Sequence, residues 1–398
     1  MTCRLASLPE EILAQIVDNL CLRSIARLMR CSTKLYLRLE PYLLKSDVAR
    51  NLALKWACTR ASPDHAATVL HRLVRDYGVS PSVLEIPTGK PDDSGQRMMI
   101  RKVFTGALAM KAGRVDILPV LAYLGASLDD PVLRRDNYRL RFNWPFRSSS
   151  PDWGMVRAFV ETGWPRQLSH WLLGRLLINL IMFKASPYLI DRVIDMGADV
   201  NLVTDYGGDA WISPLGATVL MDSALTFRRL IARGARLRSK AIDDSKRNAL
   251  HCPLSVAVGK ISERGLDLVD LCLEFGANIN QKVFRTEHKD PVISACTPLA
   301  RYLSSKRSSA PNPVVVKYFI EKGALVKLIP QYDQPKLLNP PSLIKLLLES
   351  WPYYSVVSLL AQQPAQEVIK LLVQHGAADG CILDLIMHWV YPDSRGWV

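Results

Sequence analysis

The chain lacks any run long and apolar enough to span a bilayer. Its best stretch, Trp171 to Phe183, is thirteen residues and carries Arg175 and Asn179, whereas a span needs about 20 apolar residues. No apolar segment precedes the acidic pair of the opening MTCRLASLPEEIL, so no secretory signal is expected and the expected location is cytoplasmic and/or nuclear. No C-x-x-C pair occurs either. The eight cysteines (Cys3, Cys21, Cys31, Cys58, Cys252, Cys272, Cys296 and Cys381) are scattered, which fits reduced core thiols and argues against a disulfide frame or a zinc site. Catalytic signatures are missing as well: there is no G-x-G-x-x-G, no H-E-x-x-H and no G-x-S-x-G. Thr88-Gly89-Lys90 has no upstream glycine of a phosphate loop and sits in a Pro/Gly/Asp-rich stretch that reads as an insertion. The seven histidines are dispersed, and Asp129-Asp130 and Asp243-Asp244 fall in expected loops. No cofactor, metal or catalytic set is therefore expected, and the chain reads as a non-enzyme.

What is present is an ordinary globular balance, 49% hydrophobic and 22% charged residues in 398, enough for one large domain or two. The net charge is +14, which permits an acidic partner. Positive residues are spread along the chain, densest between Leu133 and Arg147, where Arg134, Arg135, Arg139, Arg141 and Arg147 alternate with Tyr138, Phe142, Trp144 and Phe146. Arginines on phosphates and rings on bases would suit single-stranded nucleic acid. The preferred reading is a surface loop with its aromatics laid on neighbouring helices, and nucleic acid is not the expected partner.

Self-similarity organises the rest. An apolar pair, two residues and then Gly-Ala recurs at Gly125, Gly197, Gly234, Gly276, Gly323 and Gly376, with weaker copies at Gly78 and Gly163. The intervals are 47, 38, 34, 37, 42, 47 and 53 residues, a unit near 33 residues with insertions. Such a glycine ends a helix, because the residue past the last turn must adopt a left-handed backbone that costs glycine nothing. Apolar residues just before it, such as Val193 and Ile194, form that helix's buried stripe. Upstream, Ser213-Pro214-Leu215, Cys252-Pro253-Leu254 and Thr297-Pro298-Leu299 each open a helix with proline in its first turn. Ala107–Asp130 aligns without gaps, with Gly113 between paired helices, and Ala53–Gly78 has the same order. Leu343–Ala377 has lost the proline opening. These features resemble ankyrin repeats, and the resemblance implies an all-α solenoid of helix-turn-helix units, seven or eight in number and several degenerate, that functions by binding.

Residues Leu5 to Val48 have a different pattern. Ser7 reads as an N-cap, Pro9 as a first-turn residue, and Leu8, Ile12, Leu13, Ile16, Val17 and Leu20 share one helical face. Ser24 is expected to cap a second short helix with Ile25 and Leu28, and Ser32 or Thr33 a third with Leu35, ended by Pro41. The opening L-P-x-E-I-L and the Cys31, Leu35, Tyr36 trio resemble the F-box, although the tryptophan common in its third helix is absent. That resemblance implies docking on the Skp-type adaptor of a cullin ubiquitin ligase through Leu8, Pro9, Ile12, Leu13 and Ile16, with Ile25, Leu28 and Leu35 completing the contact or packing the module. The order of F-box and degenerate ankyrin units resembles a family common in filamentous fungi. Expected boundaries are residues 1–48 for the F-box and 49–398 for the ankyrin domain. The expected role is a substrate-recruiting adaptor whose target is unknown and which has no membrane partner. The alternative is a plain ankyrin scaffold or effector, possibly acting on nucleic acid through the Arg134–Arg147 segment.

Overall fold

The computed structural model describes residues 4–29, 31–88, 99–128, 151–207, 210–237, 252–261, 265–281, 283–284, 295–303, 311–326, 343–344, 347 and 362–377. The Arg134–Arg147 segment, Asp129-Asp130, Asp243-Asp244, Gly89-Lys90 and His251 lie outside them. Two compact units are resolved, Met1–Leu176 with Asp191–Gly197, and Leu177–Ile190 with Ala198–Val398.

The first unit opens with a 3-10 turn, Arg4–Ser7. Helix α1 (Glu10–Asp18) follows Pro9, which holds φ −52° and ψ 151° as the flanking residue. Ser7, the cap expected from sequence, closes the 3-10 turn instead. Helix α2 (Leu22–Met29) starts before Ser24, because the Cys21 carbonyl already accepts the Ile25 N–H at 3.1 Å. Helix α3 (Thr33–Leu43) is capped by Ser32, whose Oγ accepts the Leu35 N–H at 3.1 Å. Pro41 lies within α3 and does not end it. Its missing bond falls on the exposed side, at Leu37, and the Leu44 N–H still reaches the Glu40 carbonyl at 2.9 Å. Next come α4 (Asp47–Thr59) and α5 (Pro63–Arg75), a hairpin of β1 (Val83–Thr88) and β2 (Met99–Phe104), then α6 (Thr105–Lys111), α7 (Ile117–Tyr123), α8 (Trp153–Glu161) and a 3-10 turn at Trp164–Gln167. Helices α9 (His170–Met182) and α10 (Pro187–Asp195) run across the division between units.

The second unit holds β3 (Thr204–Gly207) with β4 (Ala210–Ile212), α11 (Pro214–Leu220), α12 (Ala224–Ala232), α13 (Pro253–Gly259), α14 (Asp267–Glu274), β5 (Val283–Phe284) with β6 (Ala295–Cys296), α15 (Pro298–Leu303), α16 (Pro313–Glu321) and α17 (Gln363–Gln374). The fold is mostly helical. The three antiparallel hairpins, with Val83 opposite Phe104, Thr204 opposite Ile212 and Val283 opposite Cys296, are absent from the all-α expectation. Two to six residues per strand leave too little alternation to read.

One closing turn is reused along the chain. Gly125, Gly234, Gly276, Gly323 and Gly376 take φ between +83° and +89°, and the following alanine donates back five residues. Those bonds run from Ala126 to Leu121, Ala235 to Leu230, Ala277 to Cys272, Ala324 to Phe319 and Ala377 to Leu372, all within 2.9–3.0 Å. This double-bonded end satisfies carbonyls the helix would leave open, and it turns the alanine under the last turn. Ala126, Ala235, Ala324 and Ala377 are accordingly buried. The glycine of Gly-Ala thus sets the backbone, and the alanine is the small residue that fits beneath it.

Four residues past Gly276, and likewise past Gly197 (φ +99°), stands an asparagine that bonds to the next turn. Asn201 Nδ2 donates to the Gly234 carbonyl at 3.1 Å, and Asn201 Oδ1 accepts the Arg236 N–H at 2.7 Å. Asn280 repeats this with the Gly323 carbonyl at 2.9 Å and the Leu325 N–H at 2.7 Å. Proline openings begin α11, α13 and α15. Ser213 Oγ accepts the Gly216 N–H at 3.0 Å, and Thr297 Oγ1 accepts the Ala300 N–H at 3.3 Å.

The candidate docking face and its surroundings

Helices α1 to α3 enclose a small core of Leu13, Val17, Ile25, Met29, Leu35 and Leu39, each at most 8% exposed. Leu5, Leu20, Leu28, Tyr42 and Leu43 border it. On α1 the core stripe is Leu13 and Val17, four residues apart. The neighbouring stripe points away. Leu8 and Ile16 are half-buried, Pro9 is exposed, and Ile12 is 44% exposed despite being fully apolar. Of the eight residues expected to meet the adaptor or to pack the module, Leu13, Ile25 and Leu35 are therefore core, at 1–3% exposure. Leu8, Pro9, Ile12 and Ile16 form one outward edge, and Leu28 is half-buried beside the core.

The first turn of α1 is clipped to α3. Glu10 Oε2 accepts from Arg38 Nη2 at 2.6 Å and Nε at 3.2 Å, and its Oε1 accepts from the Tyr42 hydroxyl at 3.1 Å. Hydrogen bonds from Arg38 and then Tyr42 hold the Glu10 carboxyl below the usual carboxylate range. With Glu10 in solvent this pair contributes little to stability. It orients the turn that carries Pro9 and Ile12.

Elsewhere the sequence-selected residues are spread out. His65 and His71 are exposed on α5; His65 Nδ1 lies 2.6 Å from Ser62 Oγ, and the His71 ring is 5.8 Å from Tyr123. Trp164 is 2% exposed. Its indole N–H donates to the Ala126 carbonyl at 2.7 Å, and its ring meets Phe104 edge-on at 5.0 Å. Tyr206 and Trp211 stand on β3 and β4. Among the described residues no group of three or more His, Cys, Asp or Glu side chains could hold a metal ion, and no helix is long and apolar enough to cross a membrane. Cys58 and Cys272 are buried, and burial pushes the Cys58 thiol up to about 12 and raises that of Cys272. Neither is an activated nucleophile. A cleft of about 620 Å³ separates α7 from α8, floored by Pro119, Ala122, Gly154 and Ala158 and rimmed by Asp116 and Arg157.

The outward edge of α1, the inward core and the three-helix order coincide with a family match. The F-box domain matches residues 5–38, from the 3-10 turn into α3. No curated protein matches the chain. Residues 5–38 are an F-box domain, a module that serves adaptors in SCF ubiquitin ligases by binding their Skp subunit and is typically non-catalytic.

Proposed function

We propose that this chain is a substrate-recruiting adaptor of an SCF-type ubiquitin ligase, in which residues 1–48 dock on the Skp-type adaptor and residues 49–398 form an ankyrin array that holds a target protein. The observation that carries the reading is the F-box domain at residues 5–38 with an apolar edge left in solvent on its first helix. A module of three short helices cannot bury all of its apolar surface, and Ile12 at 44% exposure, flanked by Leu8, Pro9 and Ile16, is a partner-sized remainder. Leu13, Ile25 and Leu35 keep that edge in shape from within, while Leu28 lies at its border.

Three features support the array: the recurrent Gly-Ala turn, the proline-opened helices, and the asparagines that bond one turn to the next. Units of this kind bury their apolar faces on their neighbours and leave a long surface for recognition. The free buried thiols of Cys58 and Cys272 fit a reducing cytoplasmic or nuclear setting. Ubiquitin transfer and the cullin assembly would be supplied by other subunits.

The test is a titration of the full chain with a purified Skp-type adaptor. A 1:1 complex is expected, and Leu8→Ala with Pro9→Ala and Ile12→Ala should abolish it while leaving the melting transition in place, since none of the three is a core residue. A wild-type chain that folds but leaves the adaptor unbound overturns the reading.

A further inference from the structure

Among the described residues, Glu40 is the one charged side chain that the fold buries, at 4% exposure. It stands on α3, four residues from Tyr36, on a different face from Arg38 and Tyr42, which hold α1. Leu35 and Leu39 lie in the core between these two faces. On its own face Glu40 Oε2 forms an ion pair with Arg72 Nη1 of α5, and Oε1 accepts from the Tyr36 hydroxyl at 3.3 Å. Tyr77, just before the turn at Gly78, feels the charges of both Glu40 and Arg72. Helix α3 is thus a hub, joined to α1 by one carboxylate and to α5 by another.

An ion pair that buries one partner, Glu40, and leaves Arg72 partly exposed is a costly way to hold two helices, since apolar residues of similar volume often hold them as well or better. Apolar contacts can slide. The Glu40 carboxylate, whose cation among the described residues is Arg72, is satisfied in only one placement. We infer that the Glu40–Arg72 pair is a positioning device that fixes the angle between the three-helix module, residues 10–43, and the α4–α5 pair. Under the adaptor reading, on which this last step rests, the pair also sets where the repeats present their target relative to the docked ligase.

The experiment places spin labels on azido side chains introduced at the exposed Gln15 of α1 and Lys55 of α4 in the full chain, and measures the distance distribution by pulsed electron resonance. Wild type is expected to give one narrow distribution. Glu40→Leu with Arg72→Leu should broaden it about twofold while keeping helix content, because the apolar pair can hold the packing without fixing its register. An unchanged width in that folded variant overturns the inference. Should it fail to fold, Arg72→Met and Arg72→Lys alter only the partly exposed partner: broadening with methionine and a narrow distribution with lysine support the lock, and equal widths overturn it. Repeating the measurement with Skp-type adaptor added separates the two readings. A wild-type chain that leaves the adaptor unbound sinks the adaptor reading alone, because the label distances decide the lock without it.

Discussion

A methyl group on Gly106 would sit 2.4 Å from Phe104 Cε1 and 2.7 Å from Trp164 Cζ3, both on fully buried rings. One on Gly234 would meet nothing within 4 Å, yet that residue holds φ +89°. Gly106→Ala is therefore expected to lose about 1–3 kcal/mol to overpacking, and Gly234→Ala about 1–2 kcal/mol to backbone strain alone. Urea titrations of the two variants test this, and repacking should separate them: Phe104→Leu should recover stability in the Gly106 variant and not in the Gly234 one. The glycine at the turn was readable from spacing. Gly106 was not, because its reason lies in Trp164, fifty-eight residues away. The thiols divide as plainly. Cys21 and Cys31 are exposed and should react with iodoacetamide at pH 8 in the native chain, whereas Cys58 should react only on unfolding. With its ordinary value of 9.0 raised to about 12 by burial, the folded chain keeps the Cys58 proton that the unfolded chain releases. Its contribution to stability is full below pH 9 and is lost as pH rises from 9 to 12. A Cys58→Ala chain should show a smaller fall in melting temperature across that window.

Between neighbouring residues of one helix the structure draws a distinction that periodicity cannot. Leu13 and Ile12 both lie on the apolar side of α1, but one is 1% exposed and the other 44%. Leu13→Ala should cost about 2–5 kcal/mol as a cavity in a small core, and Ile12→Ala should stay within about 0.5 kcal/mol. The same two proteins should rank oppositely for adaptor affinity per folded molecule, with Ile12→Ala weaker by about tenfold. The amphipathic face was legible in the sequence. Which edge of it faces inward was not, since that depends on where α2 and α3 pack, and helix starts at Glu10 and Leu22 were displaced from the expected serine caps by Pro9 and the Cys21 carbonyl. Asn280 stands three residues past the Gly-Ala pair, outside the repeated string. Its two bonds reach Gly323 and Leu325, so Asn280→Ala should cost about 1–3 kcal/mol. Hydrogen exchange should place that loss at the Leu325 amide and leave Ala126 protected.

Across the described residues, glycine spacing foretold where helices end, while a partner leaves no trace in a single sequence. Six buried side chains hold the three-helix module, and one buried charge joins it to α5. The repeated turn has a further consequence. The last four of its glycines, Gly234, Gly276, Gly323 and Gly376, stand 42, 47 and 53 residues apart, yet the alanine bond that closes it varies by only 0.1 Å. Length differences are thus taken up outside the closing geometry, where each doubling of a connection costs only about 0.6 kcal/mol. Ten extra Gly/Ser residues inserted between Thr88 and Met99, themselves joined by ten residues, should leave the urea midpoint within about 0.5 M. A chain built this way can revise its vocabulary without touching its grammar: new words enter between the turns, and the sentence still parses.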